Sequence, residues 1–220
     1  MITQSSKDIK VRGVADVVFC FDCTGSMSPC INNVKHNVES LVKGFNGTPN
    51  VTLDWRVRAM GYRDFEVDSE PIINTFDFTN DEHVFANTQL TELTATGGGD
   101  YEESALDAIW YAVRTSKWRK GCHKVVVLFT DAGTKNVNSH TTSELGVSGD
   151  IDYLKQQLQA ERIQLFIFAP DDPMYQQLKV VPKSNITLGV DLNSSTNFET
   201  LLEALGKTVS ASSVDKSVTI

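Results

Sequence analysis

Apolar positions along the chain fall into two alternating rhythms. Val14 to Phe21 is a short, almost unbroken apolar run, the pattern of a strand buried on both faces of a parallel sheet. After a polar turn, Ile31, Val34, Val38, Leu41, Val42 and Phe45 recur at helical spacing, with Pro29 near the start and Gly47 and Pro49 at the end. From Val51 to Ala59 the odd positions are apolar or small while Asp54, Arg56 and Arg58 alternate with them, which predicts a strand with one wetter face. A turn over Glu66 to Pro71 then leads into Ile72 to Phe78, expected as an antiparallel strand at the sheet edge.

Asp81 to Leu93 reads as helix, and Thr94 to Asp100 as loop, because Gly97, Gly98 and Gly99 in a row cost a regular element too much entropy. Tyr101 to Ser116 is expected to be helical and Val125 to Phe129 a buried strand. The polar stretch Ala132 to Asp150 is longer than a structural connection needs and reads as a rim loop. Ile151 to Glu161 is then a helix, Ile163 to Ala169 a strand, Pro173 to Val181 a short helix, Ile186 to Val190 a strand and Phe198 to Val209 the last helix. From Ser210 onward the chain is polar and expected to be mobile. This alternation predicts an α/β fold: a doubly wound, mostly parallel sheet with one antiparallel edge strand and helices on both faces. Such sheets bind their ligands at the carboxyl ends of the strands, where Asp22 and Asp131 both fall.

With 220 residues and 40% apolar composition the chain can bury one sizeable core. The expected organisation is an N-terminal segment 1–13, one domain over 14–209 and a tail 210–220. A net charge of -8 argues against a nucleic-acid or anionic-membrane partner, since both favour a surplus of Lys and Arg. No apolar stretch is long enough to span a bilayer and Met1 to Arg12 lacks the core of a secretory signal, so a cytoplasmic location is expected. Cys20, Cys23, Cys30 and Cys122 read as reduced thiols, because Cys20-x-x-Cys23 has no second pair at zinc spacing. The four histidines are dispersed, none paired to Ser or Cys at catalytic spacing. Trp110 and Trp118 are expected in packing, and Lys117 to Lys124 as a solvated basic turn.

One constellation carries chemistry. Asp22-x-Thr24-x-Ser26 offers a carboxylate and two hydroxyls on a tight loop at a strand end, hard oxygen donors that suit magnesium or manganese. Asp131 ends a second central strand and can supply another carboxylate. Asp100 and Glu103, opening a helix after the glycine loop, offer a third arm. Magnesium takes about six oxygens and keeps some waters, which leaves a position for an incoming ligand. Singly, each segment reads better as a turn with capping hydroxyls than as a site; their joint placement on one sheet edge reverses this in favour of the metal.

These residues resemble the von Willebrand factor A family and its metal-ion-dependent adhesion site. Asp22-Cys23-Thr24-Gly25-Ser26 matches the family's first metal loop, and Asp131 in Leu128-Phe129-Thr130-Asp131-Ala132 the aspartate of the last. Gly97-Gly98-Gly99-Asp100-Tyr101-Glu102-Glu103 departs from the common threonine form of the middle loop. It looks like the Gly-Gly-Gly-Asp-Gly-Pro-Glu version of bacterial and kinase-associated members, with Glu103 where integrin beta-type domains use a glutamate. Tyr62-Arg63-Asp64 and Phe76-Asp77-Phe78-Thr79 also look like that subgroup, and the likeness runs from Val14 to Val209. Pro29 and Cys30 stand where integrin beta-type domains carry the acidic pair of an adjacent second site, so one metal is implied. The resemblance implies a Rossmann-like fold, no catalysis, and metal-dependent binding of an Asp or Glu carboxylate on a protein partner, such as a kinase, phosphatase or stress-response component.

Two other readings stand beside it. Asp22-Cys23-Thr24-Gly25-Ser26 also looks like the nucleophile loop of haloacid dehalogenase-type phosphatases, with Asp171-Asp172 as a later acidic pair, but no phosphate-binding lysine is evident between them. The third is a scaffold of this fold that never fills its site.

Overall fold

The computed structural model describes residues 11–73, 75–98, 102–192 and 197–214. Strand β1 (Val11–Asp22) is the hub of a six-stranded sheet. It is followed by a 3-10 turn (Gly25–Met27), α1 (Ser28–His36), α2 (Val38–Phe45), β2 (Val51–Tyr62) and the two-residue β3 (Ile72–Ile73). Next come α3 (Glu82–Val84), a π-helical turn (Phe85–Gln89), α4 (Leu90–Glu92), β4 (Glu102–Glu103) and α5 (Ala105–Thr115). The chain continues through β5 (His123–Phe129), β6 (Gly133–Thr134), α6 (Ser139–Leu145), α7 (Ile151–Ala160), β7 (Ile163–Ala169), α8 (Pro173–Gln177), β8 (Asn185–Leu188) and α9 (Phe198–Val214).

The strand order is β3-β2-β1-β5-β7-β8, and every pairing is parallel except β2 with β3. The expected doubly wound sheet with an antiparallel edge is thus present. Period-two alternation in β1 sends Ala15, Val17, Phe19 and Phe21 to one face, against Leu41 and Phe45 of α2 and Leu202, Leu205 and Val209 of α9. Val18 and Cys20 face the other layer, with Ile109 and Trp110 of α5 and Leu154 and Leu158 of α7. Helices α2 and α9 cross at backbone distance: a Cβ on Gly44 would lie 2.3 Å from the Glu203 carbonyl oxygen, and one on Gly206 2.4 Å from that of Leu41.

Several expectations are corrected. The edge strand foreseen over Ile72 to Phe78 is only Ile72–Ile73, because the buried Gln89 side chain takes over its bonding. Its Oε1 accepts from the Ala59 amide at 2.8 Å and its Nε2 donates to the Asp77 carbonyl at 2.9 Å. The helix foreseen from Tyr101 begins at Ala105, since Glu102–Glu103 pairs in parallel with Gly133–Thr134. The rim segment Ala132 to Asp150, foreseen as a loop, carries the short elements β6 and α6. The polar tail continues α9 to Val214, with Ser210 fully buried.

The basic turn over Lys117 to Lys124 is not simply solvated, because Arg119 is drawn into an ion network beneath the sheet. Arg119 Nε and Arg56 Nη2 both lie 2.7 Å from the fully buried carboxylate of Asp16, and Arg119 Nη1 lies 2.7 Å from Asp54. Burial alone would raise the Asp16 pKa, yet the two guanidiniums and the Arg119 amide hold it below the ordinary value.

Candidate functional site

Register brings the site together. In the parallel ladder Phe21 pairs with Phe129, so the next residues, Asp22 and Thr130, leave the sheet side by side. Thr130 Oγ1 donates to Asp22 Oδ2 at 2.8 Å. The other carboxylate oxygen accepts twice from Thr24, from its amide at 2.9 Å and from its hydroxyl at 2.7 Å. Ser26, exposed on the 3-10 turn, donates from Oγ to Asp131 Oδ1 at 3.0 Å. Asp22, Thr24, Ser26 and Asp131, from two loops over a hundred positions apart, therefore meet at one end of the sheet.

Asp22 is fully buried. Burial raises its pKa and the neighbouring charge of Asp131 adds to the rise, while the hydrogen bonds from Thr24 and Thr130 counter it. Burial also pushes the neighbouring Cys23 thiol up to about 12, so it stays protonated at neutral pH. All four cysteines are free.

The glycine loop closes over the first loop. The Thr96 amide donates to the Cys23 carbonyl at 2.9 Å and the Gly25 amide to that of Gly97 at 3.4 Å. Gly97 and Gly98 have φ of 79° and 90°, a region that side chains rarely enter. A Cβ on Gly98 would also lie 3.1 Å from Thr24 Cβ and 3.4 Å from Glu103 Oε1, so Thr24 and Glu103 approach this loop together. Glu103 is 2% exposed and is fixed by the β4–β6 ribbon, where its carbonyl accepts from the Lys135 amide at 3.0 Å. Asp100 lies outside the described residues. Among the described residues no group of three or more His, Cys, Asp or Glu side chains is placed to hold a metal ion; the carboxylates of Asp22 and Asp131 share their site with hydroxyls.

Three supporting residues have no role assigned by the sequence pattern. Arg63 ties the loops together, with Nη2 donating to the Thr94 carbonyl at 3.0 Å and Thr96 Oγ1 at 2.7 Å, and Nε to the Cys23 carbonyl at 3.4 Å. Lys135 Nζ bridges buried Asp64 at 2.7 Å and Glu66 at 2.8 Å. Thr130, the link between the Asp22 and Asp131 segments, also accepts from the Ala132 amide at 3.1 Å. The motif Tyr62-Arg63-Asp64 is the available signal for the first of these, and the position of Thr130 before Asp131 for the last.

An open, mostly parallel sheet whose strand ends gather oxygen donors under a glycine loop defines the class of doubly wound α/β domains. Within it, the chain belongs to the von Willebrand factor A domain family, whose model matches residues 16–145. The alpha-protein kinase vwkA of Dictyostelium discoideum is 28% identical over 149 residues, which is 68% of this chain and 23% of that protein. The chain therefore spans less than a quarter of that relative's length. Among solved structures, proximal thread matrix protein 1 from the mussel byssus superposes with a TM-score of 0.54 at 14% identity, over 89% of this chain and 46% of that one. That likeness concerns the fold. Among the described residues no helix is long and apolar enough to cross a membrane.

Proposed function

We propose that this domain is a protein-interaction module that holds one magnesium or manganese ion and through it binds an Asp or Glu carboxylate of a protein partner. The observation that carries the reading is the direction of the hydroxyl protons. Thr24 gives its proton to Asp22 and Ser26 gives its own to Asp131, which leaves the hydroxyl lone pairs to serve as ligands. Hydroxyls held in this state suit a hard cation, and the two carboxylates supply the opposing charge.

The residues that would hold the ion are Thr24, Ser26 and Asp131, with Asp22 behind them and Glu103 or Asp100 from the middle loop. The ion would supply a positive centre with an exchangeable position. The chain's own part is to orient the donors, through Thr130, and to keep the loops in register, through Arg63 and the β4–β6 ribbon. Because both oxygens of buried Asp22 are engaged by Thr24 and Thr130, a role for it as a phosphoryl-accepting nucleophile is disfavoured. The kinase named in the relative belongs to that longer protein, and a kinase, phosphatase or stress-response component is a reasonable class of partner.

Thermal unfolding in millimolar magnesium or manganese, against chelator, tests the metal; affinity capture with and without chelator tests the partner. We expect a rise in Tm and metal-dependent capture, both lost in Asp22→Ala. An unchanged Tm together with chelator-insensitive capture would leave only an empty scaffold, and turnover of an aryl phosphate lost in Asp22→Asn would replace adhesion by hydrolysis.

A further inference from the structure

Away from the strand ends, a cavity of about 640 Å³ opens beside the β2–β3 edge, walled by Phe65, Pro71, Ile72 and Phe76 and closed by the end of α5 and by α6. Its volume is that of a small-molecule site. At its base lies Arg58, only 5% exposed. The period of β2 turns this side chain towards the α5 layer with Met60 and Tyr62, where the sequence pattern foresees only a wetter face. Among the described residues Arg58 forms no ion pair, and its buried Nε has no hydrogen-bond partner. Its contacts are weak ones: Nη2 to Met60 Sδ at 3.8 Å, and a guanidinium 5.8 Å from the Phe78 ring centre.

The acidic side chains of the cavity have closer partners than Arg58. Lys117 Nζ lies 3.2 Å from Asp77, and His140 Nε2 lies 3.2 Å from Glu144, which also accepts the Tyr111 hydroxyl. The thiol of nearby Cys20 is pushed up to about 12 by burial and is neutral at physiological pH. Among the described residues, the Arg58 guanidinium is thus a buried cationic group of the cavity that has no ion-pair partner, on a wall of mixed polar and apolar side chains. A buried guanidinium without a counter-ion is costly, and a planar fork of this kind is suited to an oxyanion.

We propose that this cavity is a second binding site, which takes a monoanionic carboxylate with an apolar or aromatic body, its oxygens on Arg58 and its body against Phe65, Ile72 and Phe76. A single guanidinium fork matches a carboxylate. A phosphomonoester, with close to two negative charges, would set its surplus against Asp77 and Glu144. A free small acid and the C-terminal carboxylate of a peptide share this chemistry. The site is independent of the metal reading and stands or falls without it.

The test uses 3-phenylpropionate for the small acid and acetyl-Gly-Gly-Phe for the peptide terminus, with 3-phenylpropionamide and phenyl phosphate as comparisons, in the presence of chelator. Amide chemical shifts of Ile72, Thr115 and His140 are followed by titration. At least one carboxylate is expected to produce saturable shifts in the millimolar range, with the amide weaker by about tenfold or more, and the tighter of the two carboxylates identifies the source. Arg58→Gln should abolish the shifts while raising Tm, because it removes a buried unpaired charge; Arg58→Lys, which keeps the charge and loses the fork, should weaken them. Absence of saturable shifts with both carboxylates, an equal response to the amide, or preference for phenyl phosphate overturns the proposal. So does a fall in Tm for Arg58→Gln, which would mark Arg58 as structural support.

Discussion

Ser26 and Asp131, 105 positions apart, are joined by a 3.0 Å hydrogen bond across the gap between β1 and β5. Because Ser26 is exposed, this bond adds little to the fold, and its consequence is the orientation of two oxygen donors. Ser26→Ala is therefore expected to leave the metal-free Tm nearly unchanged and to weaken manganese binding by about ten- to a hundredfold. Calorimetric titration with manganese checks this, and an affinity equal to wild type would remove Ser26 from the ligand set.

Asp22 makes the opposite trade. A buried carboxylate near Asp131, without a cation, is held against desolvation and like-charge repulsion. Asn at this position can still accept from Thr24, and its amide can donate to Thr130 Oγ1, whose proton can turn towards the Ala132 carbonyl 3.5 Å away. Asp22→Asn should thus raise Tm in chelator and lose the metal-induced rise, so that the melting curves of variant and wild type change order when manganese is added.

Beneath the sheet the sign is reversed. Asp16 is buried between Arg56 and Arg119, and Asp16→Ala would leave two guanidiniums facing an empty site. A loss of about 3 kcal/mol in urea unfolding is expected, with little change in m. Since the folded pKa of Asp16 lies below the ordinary 3.8, its contribution is present above that value and is lost as pH falls through the folded one. The stability gap between wild type and Asp16→Asn should accordingly narrow below about pH 3.8 and stay constant near neutrality.

At the crossing of α2 and α9, Gly206→Ala places a methyl group against the Leu41 carbonyl. The helical propensity gained by Ala is at most about 1 kcal/mol, while forcing backbones apart costs about 1–3 kcal/mol. Net destabilisation of about 1–2 kcal/mol is expected by denaturant unfolding, and a stabilised variant would show that the helices can part freely.

Long periodic segments are legible in the amino-acid pattern alone: β1, the α1–α2 region, β7 and α7 follow from their apolar spacing, and with them the placing of Asp22 and Asp131 at strand ends. The features that leave no such trace are held by contacts too short or too distant to impose a period. The β4–β6 ribbon is two residues wide, so Glu102 and Glu103 read as the start of a helix. Gln89 replaces part of an edge strand with one carboxamide, which no local pattern announces. Arg119 sits among lysines and reads as solvated until the fold brings Asp16 and Asp54 to it. Residues at the end of α9 read as a polar tail because Ser210, fully buried by the closeness of the layers, and half-buried Ser213 carry no apolar signature.

The placement of α9 bears on how the chain is made. Phe198, Leu202, Leu205 and Val209 complete the cover of one face of the sheet beside α2, yet they follow every strand of that sheet in the order of synthesis. While a ribosome still holds this helix, Phe19, Phe21 and Phe129 lack their final cover, so the nascent domain presents an apolar face that invites chaperones or self-association.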